Sequence, residues 1–211
     1  MSTISAIAEH RVVLSSVGWQ TYLSLVDESD HAGGRMTFDQ GVLEIMSPLM
    51  PHESGKRLIG RMIEMFTLIR GIDIRSAAST TFRRTDLQRG FEADESYYIQ
   101  CSELIRGKHE IDLSIDPPPD LVIEVEMTRS SINKLRLFSS MGIPEIWRYD
   151  GKTIWIGCLQ NGTYAESGVS GVLPGFPIGL AKELLTRRFE TSETQLIRTF
   201  AGTIERSDPE S

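Results

Sequence analysis

Hydrophobic and polar positions change period several times along the chain, and each change predicts an element. Residues 17–26 (Val-Gly-Trp-Gln-Thr-Tyr-Leu-Ser-Leu-Val) read as a short amphipathic helix, followed by a polar, glycine-containing segment to Gly34. Met36-Thr37-Phe38 and Val42 to Met46 flank the turn Asp39-Gln40-Gly41 and predict a hairpin. A long helix is expected over 52–70. Its stripe is Leu58, Ile59, Met62, Ile63, Phe66 and Ile69, and Gly71 ends it. Strands are expected at 72–75, 80–83 and 92–99, the last entered through Gly90. Pro117, Pro118 and Pro119 forbid regular structure and deliver the chain to a strand over 121–127. A helix beginning near Ser130 or Ser131 and ending at Gly142 follows, then strands at 145–149 and 153–157 around Asp150-Gly151. Past a glycine-rich passage to Gly179, helices are expected at 180–187 and 192–205, and the tail from 207 is expected to be disordered. The order is α/β: a mixed central sheet with helices on its faces, in one domain with its core at about 36–160.

One stretch resists a packing explanation. With a side-chain period of two, Leu121, Ile123, Val125 and Met127 point one way, and Val122, Glu124 and Glu126 the other. Glutamates at alternate positions are common on a solvated strand face, but the rest of this run is continuously apolar, like an internal strand. In the following helix, Leu135, Leu137, Phe138 and Met141 form one stripe with Lys134 at its centre and Arg136 behind. A lysine there opposes the helix dipole and loses hydration, and nearby carboxylates would relieve both costs.

Composition narrows the function. The net charge of −7 argues against broad, non-specific attraction to nucleic acid. Local basic patches remain at Arg83-Arg84, at Lys56-Arg57 with Arg61, and at Arg106 with Lys108, though each reads equally as a solvated face. No run is long and apolar enough for a membrane span, and residues 1–9 do not read as a signal peptide, so the cytoplasm is the expected compartment. Cys101 and Cys158 are the only cysteines and read as partly buried thiols rather than a disulfide or zinc site. Trp147, Tyr149 and Trp155 sit at core spacing and Glu64 on a solvated helix face, whereas His52 falls on the buried side of its helix.

The stretch 41–48 (Gly-Val-Leu-Glu-Ile-Met-Ser-Pro) followed by His52, then Glu92-Ala93-Asp94, Pro119-Asp120-Leu121-Val122-Ile123-Glu124-Val125, Lys134 with Phe138, and Gly142-Ile143-Pro144-Glu145-Ile146-Trp147 resemble the Uma-type restriction endonuclease family. This is a bacterial branch of the PD-(D/E)XK nuclease superfamily, and the resemblance runs from about Val13 to about Phe200. It implies a restriction-endonuclease-like αβββαβ core. It places Asp94 at the first acidic position, Glu124 at the second, Glu126 where the superfamily usually has lysine, and Lys134 at this branch's helical lysine. The segment between Glu124 and Lys134 is shorter than in many relatives.

Phosphodiester hydrolysis needs a positioned, activated water and a sink for charge on the phosphorane. Mg²⁺ or Mn²⁺ supplies both when held by a few oxygens. Asp94, Glu124 and the backbone carbonyl of Val125 are the expected ligands, with Glu126 serving a second ion or water and Lys134 the nucleophile or the phosphate. His52 and Glu44 are second-tier candidates near the cleft. The expected substrate is DNA, and a homodimer follows by analogy with superfamily relatives. Two other readings stand beside this one: an inactive nuclease-fold module binding nucleic acid or protein, and a structural protein whose acidic patch is solvated.

Overall fold

The computed structural model describes residues 9–28 and 34–206. The expected disordered tail and most of the chain start read for a signal peptide lie outside these residues. The elements are β1 (His10–Leu14), α1 (Trp19–Glu28), β2 (Arg35–Asp39), β3 (Val42–Ser47), α2 (Met50–Arg70), β4 (Arg75–Ser76), β5 (Thr81–Arg84), β6 (Arg89–Glu92), β7 (Glu95–Tyr98), β8 (Leu121–Val125), α3 (Lys134–Ser140), β9 (Glu145–Tyr149), β10 (Ile154–Gln160), β11 (Thr163–Ser167), α4 (Ile178–Thr186) and α5 (Glu193–Arg206). They form an antiparallel sheet ordered β1-β3-β2-β6-β5 and a mixed sheet ordered β11-β10-β9-β8-β7-β4. In the mixed sheet only β8 and β9 run parallel, joined through α3. The series α2-β4-β7-β8-α3-β9 is the expected αβββαβ core, with β8 internal.

Departures from the sequence pattern have local causes. The strand expected over 92–99 breaks at Ala93-Asp94: β6 pairs with β2 and β5 in one sheet, β7 with β8 and β4 in the other. Of the strand expected at 72–75, only Arg75 pairs, as the start of β4. The helix expected from Ser130 or Ser131 starts at Lys134, because Asn133 caps it by accepting the Arg136 N–H at 3.1 Å. Strands β1 and β11 were not legible: β1 exposes every residue but Arg11, with no alternation, and β11 lies inside the glycine-rich passage.

Two apolar layers sandwich the mixed sheet. Leu121, Ile123, Val125 and Trp147 pack beneath Leu58, Ile59, Met62 and Phe66 of α2, and on this side Tyr149 and Ile156 join α4 and α5. On the opposite face Val122 and Ile146 pack against Leu137 and Phe138 of α3. Trp147 and Tyr149 are buried, and Trp155 is half-buried over Gly157. No helix among the described residues is long and apolar enough to cross a membrane.

A third cluster, Tyr22, Val26, Met36, Phe38 and Leu43, closes the antiparallel sheet under α1. It depends on Gly90, where a Cβ would lie 2.2 Å from the Tyr22 hydroxyl. Gly90→Ala is therefore expected to push Tyr22 off its stack on Phe38 (4.9 Å between centroids) and to lower stability by about 1–3 kcal/mol. Urea unfolding reads this directly; an unchanged midpoint would mean that Tyr22 yields at no cost.

Candidate active site

The site forms where the two sheets meet. Antiparallel pairing of β7 and β8 sets Glu95 opposite Ile123, and the same register one residue earlier brings Asp94 alongside Glu124. Asp94 belongs to neither strand, and its Oδ2 accepts the Val125 N–H at 2.6 Å. A side chain thus replaces a ladder bond where the strand breaks. Glu124 shares the α3 side of the sheet with Val122, and Lys134, first residue of α3, donates Nζ–H to Glu124 Oε2. The other oxygen, Glu124 Oε1, is buried without a hydrogen-bond partner among the described residues.

The charges divide unequally. Burial pushes the Glu124 carboxyl above its ordinary range, and Asp94's charge adds to this while Lys134 offsets only part of it. Burial also disfavours the Asp94 carboxylate, but the His52 hydrogen bond and the charges of Arg35, His52 and Lys134 hold it below its ordinary range. Desolvation works against the Lys134 ammonium, yet Glu124 and Asp94 outweigh it and raise its pKa. Asp94 is thus the fixed anion and Glu124 the one that takes up a proton.

The remaining sequence candidates are distributed around this cluster. His52, fully buried on α2, lies with Nε2 2.9 Å from Asp94 Oδ1 and Nδ1 2.5 Å from Glu9 Oε1. Glu44 is 1 % exposed and lines no open cleft. It accepts from Arg11 at 2.6 Å, from Ser130 Oγ at 2.8 Å and from the Ser131 N–H at 2.7 Å. Its role is to fasten the β8–α3 loop. Glu126 does not join Asp94 and Glu124: β8 ends at Val125, and Glu126 pairs with Arg148 and accepts the Ser130 N–H at 2.8 Å. A pocket of about 820 Å³ opens here, its wall including Glu126, Arg129, Asn133, Lys134, Arg148 and Asp150.

Several participants were not foreseen. Glu9 and Arg11 reach across 117 or more residues to Thr128: Arg11 Nη2 donates to the Thr128 carbonyl at 3.1 Å, and Glu9 Oε2 accepts the Thr128 hydroxyl at 2.9 Å. Arg35 donates to Asp94 Oδ1. Periodicity could not find Glu9 and Arg11 as a pair, because Glu9 lies just before β1 and Arg11 within it. The expected basic patches are largely paired: Arg83 with Asp27 at 2.5 Å, Arg84 with Asp86 at 3.1 Å, Lys56 with Glu53 at 2.7 Å, Arg61 with Glu193 at 2.8 Å, Arg106 with Glu103, and Lys108 with Asp116.

Between two carboxylates, His52 is held protonated, its pKa raised to about 9. Burial works against the charge, but the hydrogen bonds to Asp94 and Glu9 win. The folded-state value lies above the ordinary 6.5, so this contribution is complete below pH 6.5 and lost as pH rises through about 9. It amounts to about 3 kcal/mol at one pKa unit per 1.4 kcal/mol. Unfolding midpoints are expected to fall between pH 7 and 9.5, and His52→Gln to flatten that fall; an equal fall in the variant would assign it to another group.

The donors suit a hard divalent cation. Among the described residues no three His, Cys, Asp or Glu side chains group as a metal site, so Asp94 and Glu124 would need main-chain and water oxygens beside them. Magnesium, which keeps several waters, accepts such a set, and Glu124 Oε1 is a ligand atom with no hydrogen-bond partner among the described residues.

A family model described as "Uma2: Putative restriction endonuclease" matches residues 19–185. Among solved structures, a putative nuclease belonging to DUF820 from Anabaena variabilis ATCC 29413 is similar at a TM-score of 0.54 and 15 % identity, over 87 % of this chain and 99 % of that one. This likeness shows a shared fold. No curated protein matches the sequence. With the match spanning most of its length and the αβββαβ core in place, the chain belongs to the Uma2 restriction endonuclease family.

Proposed function

We propose that the protein is a divalent-metal-dependent endonuclease that hydrolyses phosphodiester bonds in DNA. The observation that carries this reading is the meeting of buried Asp94 and Glu124 with partly buried Lys134, which also lines the open pocket, with Glu124 Oε1 unpartnered among the described residues. Asp94, Glu124 and the Val125 carbonyl would hold Mg²⁺ or Mn²⁺, which when bound activates water and absorbs charge on the phosphorane. Lys134, kept cationic by both carboxylates, orients the attacking water or stabilises the non-bridging phosphate oxygens. Glu44 holds Ser130 and Ser131, and with them the approach to Lys134. Arg129 and Arg148 on the pocket wall offer positive charge to the backbone, and Arg129 is exposed with no ion pair among the described residues. Among the described residues the cations lining this pocket are Arg129, Lys134 and Arg148, so cleavage should fall as salt rises, with a shallow slope.

The test is incubation of purified protein with supercoiled plasmid, single-stranded DNA and RNA in Mg²⁺, Mn²⁺ or Ca²⁺. Cleavage of DNA with the first two, and binding without turnover with Ca²⁺, is the expected outcome. Metal binding with no cleavage of any substrate would refute the hydrolytic reading. It would favour the alternative, a nuclease-fold binding module, for which the pairing of Asp94 with Arg35 and of Glu126 with Arg148 speaks.

A further inference from the structure

Arg35 begins β2, where its Cα pairs with Met46, but its side chain ends against the site. Nη1 donates to Asp94 Oδ1, and Nη2 donates to Glu53 Oε1 at 2.7 Å. Its charge also acts to lower the pKa of Glu124 and of Glu95. The planar fork thus bridges two carboxylates, one arm on Glu53 and the other on Asp94, the carboxylate of the site that is held ionised.

The two proposed metal-binding acids are therefore not equally open. Glu124 gives one oxygen to Lys134 and keeps the other unpartnered. Asp94 has Oδ2 on the Val125 N–H, and Oδ1 shared by Arg35 and His52. His52 has nowhere to go: it is fully buried and tied to Glu9 on its far side at 2.5 Å. Arg35 does. Its side chain is 13 % exposed, and its second anchor, Glu53, is 40 % exposed and near solvent. A guanidinium that swings away from Asp94 can stay paired with Glu53.

We infer that Arg35 is the displaceable one of the two cations on Asp94 and that a divalent ion enters the site by displacing it, so that the chain's own guanidinium limits metal affinity. This rests on the reading of Asp94 as a metal-binding carboxylate. Lys134 does not play the same part, because its partner retains a free oxygen.

Calorimetric titration with Mn²⁺ tests the inference on the full chain, using the parent, Arg35→Gln and Arg35→Lys, with thermal unfolding measured with and without Mn²⁺. An adjacent arginine shifts an aspartate by one or more pKa units, so Arg35→Gln is expected to bind Mn²⁺ about tenfold more tightly. Arg35→Lys keeps the charge but loses the fork, and its affinity should fall between the two. Without metal the Gln variant should unfold below the parent, and Mn²⁺ should raise its Tm by more than it raises the parent's. If Arg35→Gln does not fold, the Lys variant decides: tighter binding than the parent supports displacement, and equal or weaker binding overturns it. Binding unchanged or weakened in both variants overturns the inference while leaving the metal site standing. No binding in any of the three proteins overturns the metal site and the inference together.

Discussion

Replacing Lys134 by methionine is expected to lower DNA cleavage by roughly two to three orders of magnitude while leaving Mn²⁺ bound, the loss typical of removing one preorganised charge donor from a hydrolytic site. Among the described residues the Lys134 ammonium hydrogen-bonds to the Glu124 side chain alone, and methionine keeps a long apolar stem at the start of α3. The chain should therefore fold. A second consequence separates this from simple damage. The Lys134 charge offsets part of the burial that raises the Glu124 pKa, so its loss raises that pKa further. Glu124 must lose its proton to bind a cation, so Mn²⁺ affinity should climb with pH more steeply in the variant than in the parent. Calorimetry at several pH values, beside plasmid cleavage, reads both effects. Full activity in Lys134→Met would remove the lysine from the mechanism.

The second large effect is expected away from the ligands. Glu44→Ala would strip acceptors from Arg11, the Ser130 hydroxyl and the Ser131 N–H at once. Removing one partner of a buried charged network leaves the others unpaired, and about 3–5 kcal/mol of stability should be lost. Arg11 keeps Glu9 at 2.6 Å, which sets the outcome toward the lower end. Cleavage should drop as well, because the loop leading to Lys134 loses its anchor, and Glu44→Gln should restore part of both by keeping one acceptor oxygen. A urea midpoint within about 1 kcal/mol of the parent would show that the loop does not depend on Glu44.

What could be read in advance was local. The stripe on α2, the hairpin of β2 and β3, and the succession β8-α3-β9 followed from periodicity, because each element buries one face against one layer. The contact between Glu124 and Lys134 was legible for the opposite reason: each charge interrupts an apolar surface, and the other is within reach of the next element. Glu126 shows where period-two reasoning stops. It has the parity of Glu124, but the strand ends between them, and Arg148, the register partner of Glu124 on β9, draws Glu126 to the pocket wall. The network formed by Glu9, Arg11, Arg35 and His52 could not be read, since it joins β1, β2 and α2 to a loop far along the chain. The break at Ala93-Asp94 was hidden likewise: Glu92 and Glu95 both suit a strand, and only pairing in two different sheets separates them.

The central claim is that Asp94 and Glu124 hold one catalytic cation together. Mn²⁺ titration and plasmid cleavage on the same preparations of the parent, Asp94→Asn and Glu124→Gln test it most directly. The parent should bind Mn²⁺ and cut DNA, and each variant should lose both properties while remaining folded by circular dichroism. Folded variants that bind Mn²⁺ and cleave as the parent does would contradict it.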